Sequence, residues 1–153
     1  MTDQATTVPT RSRILFLCTG NSCRSQMAEG WARALKPGSL EPYSAGIEAN
    51  GLNPLAVRVM AEVGVDISAQ RSKLVSELLH VPFDLVVTVC DNAAQRCPVF
   101  PGKVRRVHAP FDDPPRLAQT ARTEEEVLGH YRRVRDEIRS YVQGLPEDLT
   151  AVR

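Results

Sequence analysis

Cys18 ends the apolar run Ile14-Leu15-Phe16-Leu17 and opens the stretch Cys18-Thr19-Gly20-Asn21-Ser22-Cys23-Arg24-Ser25. A thiol and a guanidinium thus face each other across a short polar loop, a layout suited to nucleophilic attack on an oxyanion. Successive amides along such a loop can converge as an anion nest, and a helix starting just after it points its positive end at the same spot. That setting favours Cys18 as a thiolate. Arg24 offers a planar fork for two oxygens of a tetrahedral anion, and Ser25 can donate to the Cys18 sulfur. Asn21 is expected to be structural, holding the loop open through its side chain. The expected anion cradle is Thr19, Gly20, Asn21, Ser22, Cys23, Arg24 and Ser25, with no obligatory role for the Cys23 thiol.

Spacing alone does not establish this reading, because Cys90 and Arg96 repeat it. Context separates the two. The first loop follows an apolar run, contains Gly20 and Asn21, which tolerate left-handed backbone, and has no acidic residue. The second holds Asp91, which would repel an anion, and has no glycine. A departing oxygen must also be protonated, and Asp113, restrained by Pro114, is the candidate acid. Asp112 is the alternative, or a cap for its own loop.

Cys90 and Cys97 raise a second kind of chemistry. Six residues separate them. A regular helix would place them about 10 Å apart along its axis, whereas a disulfide needs α-carbons within about 7 Å. A bond between them therefore requires the segment to loop or unwind. Polar Asp91, Asn92, Gln95 and Arg96 make that rearrangement easy, and Pro98 discourages helix across the boundary. The pair reads as a redox-linked conformational switch. Two buried core cysteines are the plain alternative. Zinc is disfavoured because His80 and His108 lack short ligand spacings. His108 and His130 read as surface or packing residues and Trp31 as core.

These groups need a scaffold. Candidate strands are Ile14 to Leu17, Pro42 to Ala45, Leu85 to Val89 and Val104 to His108; the run Leu85-Val86-Val87-Thr88-Val89 suits a strand covered on both faces. One helix should start near Ser22 to Arg24 and carry Met27, Trp31 and Leu35 inward. Asn53-Pro54 reads as an N-cap and first helical residue, with Val57, Met60 and Ala61 facing the core and Gly64 as the stop. Another helix is expected around Lys73 to Leu79. In the last, Thr123 and Glu126 form a capping-box pattern, Val127, Tyr131, Val134, Ile138 and Val142 make the stripe, and Gly144 then Pro146 end it.

Strands alternating with helices imply right-handed crossovers and a doubly wound α/β domain whose parallel sheet is flanked by helices. Ligands in such folds bind beyond the carboxyl ends of the strands. Cys18, Cys90 and Phe111-Asp112-Asp113-Pro114 each follow a candidate strand and should share one rim.

The chain of 153 residues, 42% hydrophobic, fits one domain with its own core. The expected division is a lead-in at 1–12, a catalytic domain at 13–146 and a tail at 147–153. A net charge of +1 from interspersed charges gives no basic tract for nucleic acid or a membrane surface. With no secretory leader and no long apolar run, the expectation is a cytoplasmic protein, where cysteines serve catalysis, redox switching or metal binding rather than structural disulfides.

The stretch Cys18 to Gly30, together with Tyr43-Ser44-Ala45-Gly46 and Phe111-Asp112-Asp113-Pro114, resembles the low-molecular-weight tyrosine phosphatase superfamily, and more closely its thioredoxin-coupled arsenate reductases. The resemblance spans nearly everything from residue 13 to 143. It implies a four-stranded parallel sheet flanked by helices, Cys18 as nucleophile and Asp113 as acid. It also implies a relay in which Cys90 and then Cys97 carry oxidation away from Cys18. Arsenate is the implied substrate and thioredoxin the implied partner of a monomer, with weak phosphatase activity alongside and no cofactor.

Two departures stand out. Some of these reductases hold potassium with residues matching Asn21, Glu29 and Ser44 plus a threonine and an aspartate; the last two are Arg71 and Lys73 here. Two cations cannot act as ligands, and Lys73 can take the ion's place beside Glu29, so no metal site is expected. The related tyrosine phosphatases usually place aromatic residues just after the acid. This chain has Pro114, Pro115 and Arg116 there, which favours a small inorganic anion over an aryl group.

Overall fold

The computed structural model describes residues 11–147. Residues 1–10 of the expected lead-in and 148–153 of the tail lie outside the described residues. Strand β1 (Ser12–Cys18) opens the domain and is followed by α1 (Arg24–Leu35), β2 (Leu40–Gly46), α2 (Pro54–Glu62), β3 (Leu85–Thr88), α3 (Asp91–Gln95), β4 (Arg105–His108), α4 (Pro114–Ala118) and α5 (Glu124–Gln143). The four strands are parallel in the order β2-β1-β3-β4. The doubly wound, four-stranded parallel sheet flanked by helices is therefore present as expected, and the strand order reverses at β1 and β3.

Neighbouring strand residues point to opposite faces. All of Ile14 to Leu17 and Leu85 to Val87 are buried, so β1 and β3 are covered on both sides. Edge strand β4 is not: Arg105, Arg106 and His108 are exposed. Helix α5 packs across α1, α2 and α4. Of its expected stripe Tyr131, Val134, Ile138 and Val142 are buried, joined by Leu128 and Tyr141, while Val127 is only partly buried. Thr123 Oγ1 accepts from Glu126 N at 3.1 Å, while the Glu126 carboxylate reaches back to Arg122 N rather than to the cap itself. Trp31 is core, with Nε1 donating to Arg135 O at 3.0 Å.

Three expectations about helices need correction. Asn53 does cap α2, its Oδ1 accepting from Leu55 and Ala56 N. The buried face, however, is Ala56, Val59 and Met60; Ala61 is exposed and Val57 only partly buried. Lys73 to Leu79 forms a short 3-10 turn at Val75–Leu78, because the chain there runs alongside β2 and Gly46 donates to Lys73 O. The third is an omission: no helix was expected at α4, which Pro114 begins with Asp113 at its cap. Among the described residues no helix is long and apolar enough to cross a membrane.

Candidate active site

The sheet's carboxyl rim brings Cys18, Cys90 and the Phe111–Asp113 segment together, as expected for residues that follow β1, β3 and β4. Between β1 and α1 the backbone turns sharply, and Asn21 adopts φ 48°. Asparagine is one of the few residues that take this conformation readily. Its side chain then holds the turn: Nδ2 donates to Ser25 Oγ at 2.8 Å, while Oδ1 accepts from Gln26 Nε2 at 3.0 Å and Lys73 N at 2.9 Å.

Loop carbonyls point toward the β2–α2 connection and are satisfied there. Ile47 N donates to Cys18 O, Glu48 N to Thr19 O, Asn50 N to Gly20 O and Asn53 N to Ser22 O. With its carbonyls so engaged, the loop keeps its own amides for an anion. This arrangement depends on Gly46, which pairs with Cys18 across β1 and β2. A Cβ there would come within 2.2 Å of Glu48 O and 2.7 Å of Asn21 N, both backbone atoms that cannot move aside.

The loop walls a cavity of about 280 Å³ shared with Asn50, Asp113 and Pro115. Arg24 NH1 donates to Phe111 O at 3.0 Å, and its NH2 lies 3.7 Å from Asp113 Oδ1. The Asp113 carboxyl and the Arg24 guanidinium thus stand at one mouth, with the guanidinium tied to the segment that carries Asp113. Asp112 is engaged elsewhere, by Arg133 NH2 at 3.1 Å. Cys23 is buried, and desolvation, reinforced by the charges of Asp113 and Cys18, pushes its thiol well above the ordinary range. It is a poor nucleophile.

Each of two buried sulfurs faces a hydroxyl whose oxygen already accepts from an amide. Asn21 Nδ2 donates to Ser25 Oγ, which lies 2.8 Å from Cys18 Sγ and can donate to it when the sulfur is a thiolate. Asn92 Nδ2 donates to Thr19 Oγ1 at 3.0 Å, which leaves the Thr19 proton for Cys90 Sγ at 3.2 Å. A hydroxyl aimed this way stabilises a thiolate. The roles of Thr19 toward Cys90 and of Asn92 were invisible to sequence reasoning, because they join residues more than seventy positions apart.

Cys97 is not brought to this mouth. It follows α3 and lines a separate cavity of about 200 Å³ with Thr88, Arg106 and His108. Its thiol is half-buried, and that burial raises its pKa despite the charge of Arg106. All four cysteines are free thiols. The short helix α3 lies between Cys90 and Cys97.

The oxygens expected to hold potassium in related proteins are committed here. Glu29 Oε1 accepts from Ser44 Oγ at 2.5 Å and Oε2 from Arg33 NH2 at 2.6 Å, and Lys73 Nζ stands 4.0 Å from Oε1. Asn21 Oδ1 already takes two donors. The residues do not fit a bound alkali cation. Among the described residues no group of three or more His, Cys, Asp or Glu could hold a metal ion.

Residues 13–152 match the model of the low molecular weight phosphotyrosine protein phosphatase family. A curated arsenate reductase of Bacillus subtilis is 55% identical over 125 residues, covering 82% of this chain and 88% of the relative. One from Bacillus licheniformis is 51% identical over 138 residues, covering 90% and 96%. Among solved structures, an arsenate reductase in the oxidized state superposes with a TM-score of 0.72 at 29% identity, covering 88% of this chain and 95% of that one. A tyrosine phosphatase of Erwinia amylovora shares the fold at 18% identity and a TM-score of 0.68, covering 88% and 90%. With nearly the whole described chain inside one family match, this chain belongs to the low-molecular-weight phosphotyrosine protein phosphatase family.

Proposed function

We propose that this chain is an arsenate reductase working by a three-cysteine relay that thioredoxin resets. The observation that carries the reading is the seat of Cys90, held through Thr19 against the loop that bears Cys18. A phosphatase needs only the first thiol. A reductase needs a second one beside it, to take up the oxidation.

The chemistry balances as follows. The Cys18 thiolate attacks the arsenic of arsenate, Arg24 and the loop amides hold the oxygens, and Asp113 supplies a proton as one oxygen leaves as water. Cys90 thiolate then attacks Cys18 sulfur. The arsenic–sulfur bond breaks with its electron pair passing to arsenic, so arsenite departs and a Cys18–Cys90 disulfide remains. Cys97 thiolate attacks Cys90 sulfur, Cys18 leaves as thiolate, and the oxidation now resides in a Cys90–Cys97 disulfide. Thioredoxin, a dithiol, reduces that bond and is itself oxidised. The small cavity walled by Pro115 and Asn50 suits an inorganic tetrahedral anion. Phosphate has the same shape and charge, so slow hydrolysis of aryl phosphates accompanies the main reaction.

The test follows NADPH oxidation in the presence of thioredoxin, thioredoxin reductase and arsenate, comparing wild type with Cys97→Ser. Sustained turnover is expected in the first and a single turnover in the second, trapped as the Cys18–Cys90 disulfide. Brisk aryl phosphate hydrolysis by both proteins with NADPH untouched would make this a phosphatase whose extra cysteines guard Cys18. Thioredoxin-linked cycling of Cys90 and Cys97 without turnover of either anion would make it a redox sensor.

A further inference from the structure

His108 lies outside the anion site and has no part in the chemistry above, yet it is fully engaged. Its Nε2 is 2.8 Å from Asp91 Oδ1 and its Nδ1 is 2.8 Å from Thr88 Oγ1. Asp91 is the first residue of α3 and directly follows Cys90. Thr88 ends β3 and His108 ends β4. One imidazole therefore ties the start of the cysteine-bearing segment to the rim of the sheet.

We infer that His108 is a positioning residue of the thiol relay. By bridging Asp91 to Thr88 it clasps the first turn of α3, holds Cys90 at the mouth of the anion loop, and must let go before Cys97 can reach Cys90. The inference rests on the relay reading for its catalytic consequence, though the clasp itself can be measured without arsenate.

Hydrogen bonding allows the clasp two strengths. A carboxylate only accepts, so Nε2 must donate to Asp91 in either charge state. When the ring is an imidazolium, Nδ1 also donates, and the Thr88 hydroxyl turns its proton to Val107 O, 3.4 Å away. When the ring is neutral, the Thr88 hydroxyl donates to Nδ1 instead. The geometry serves both states. Only the first makes the bond to Asp91 a full ion pair, the stronger of the two forms.

The groups around the ring are few. Asp91 faces it from α3 and Thr88 from β3, and Arg106 and Cys97 line the same cavity of about 200 Å³. Arg106 NH2 is turned to Pro98 O at 3.1 Å, so it does not compete for Asp91. Asp91 is 83% exposed. Such a pair adds little to global stability, and its effect is confined to opening of the segment it ends.

The other end of the segment is held differently. Phe100 is buried and meets Phe83 edge to face at 5.8 Å, and Phe83 meets Tyr43 at 5.2 Å. The hold at Phe100 is apolar packing, whereas the hold at Asp91 is a single polar contact. Segment 91–99 is thus fixed at its end and reversibly fastened at its start. That polarity suits the relay: Cys90 stays put while Cys18 is attacked, and then moves toward Cys97 as the helix unwinds.

The test uses His108→Ala, His108→Gln and Asp91→Asn. Reduced protein without arsenate is treated with iodoacetamide and modification of Cys90 is followed by peptide mass spectrometry. Alkylation of Cys90 is expected to rise up to about fivefold in His108→Ala and Asp91→Asn, the scale of an exposed charged pair. His108→Gln, which keeps a donor but no charge, should fall between. In single turnover with arsenate, formation of the Cys18–Cys90 disulfide should slow while transfer to Cys97 holds or quickens. Hydrolysis of aryl phosphate, which needs neither cysteine of the segment, should not change.

Unchanged Cys90 alkylation in both His108→Ala and Asp91→Asn overturns the clasp. Equal slowing of both thiol steps together with lost phosphatase activity marks general damage and overturns it too. A wild type that never forms the Cys18–Cys90 bond ends the relay reading instead, while the alkylation still decides the clasp.

Discussion

Ser25 Oγ stands 2.8 Å from the Cys18 sulfur, with its own oxygen already accepting from Asn21. The hydroxyl is thus held beside the sulfur by a buried network, placed to donate to it when Cys18 is a thiolate. Replacing Ser25 with alanine removes a hydrogen bond to a charged group, an effect of about 1.5–3 kcal/mol. Steady-state kinetics of Ser25→Ala should show kcat down about 10- to 100-fold with KM little changed, since the anion is held by the loop amides and Arg24. A KM rise with kcat intact would place Ser25 in binding instead.

Asp113 stands across the mouth from Arg24, 3.7 Å from its guanidinium. As the proton donor it should matter in proportion to the basicity of the departing oxygen. Asp113→Asn is expected to slow attack on arsenate by roughly 10²–10⁴-fold, yet slow nitrophenyl phosphate far less than phenyl phosphate. An equal loss on both esters would make the residue an electrostatic anchor for Arg24 and not an acid.

Lys73 Nζ donates to Arg71 O at 2.8 Å and lies close to Glu29, while burial lowers its pKa below the usual lysine range against the pull of the Glu29 charge. A tethered ammonium beside that carboxylate leaves nothing for an alkali cation to do. Melting temperatures in potassium and sodium chloride at matched ionic strength should coincide. Lys73→Gln should melt several degrees lower, having left Glu29 with one cation fewer. A rise specific to potassium in wild type would contradict this.

Glu62 joins α2 to α5. Its carboxylate takes Arg132 Nε at 2.9 Å, Arg132 NH2 at 2.8 Å and Arg135 NH1 at 3.0 Å. Hydrogen bonds from Arg132, ahead of its charge and then the contacts of Arg135, pull the carboxyl from 4.5 down to about 2. Because the folded value lies below the unfolded one, the stabilisation is complete above the unfolded value and fades as pH falls toward the folded one. Thermal melts of Glu62→Gln should lie below wild type by a constant margin above about pH 5 and converge with it near pH 2. High salt should shrink the margin.

Much of the scaffold was legible in the chain because its signals are local. The aliphatic runs Ile14 to Leu17 and Leu85 to Val89 marked the two central strands, Asn53-Pro54 and Thr123 marked two helix starts, and Cys18 to Ser25 marked the turn between β1 and α1. Failures arose where distant contacts decide. Lys73 to Leu79 has helical periodicity, but pairing of Gly46 with Lys73 and Leu74 draws the chain out. Ala61 was assigned inward on spacing that α5 packing shifts to Val59. The link from Thr19 to Cys90, the bond from Asn92 and the bridge at His108 join strands that are neighbours only in the folded sheet. No window along the sequence contains both partners.

The anion loop is nailed through its carbonyls to residues 47–53, whereas the segment after β3 hangs on a few polar side-chain bonds at its start. One half of the site is therefore a fixed die and the other an interchangeable tool. A protein engineer could replace residues 91–97 with arms of other lengths or other reducing partners without reshaping the cradle.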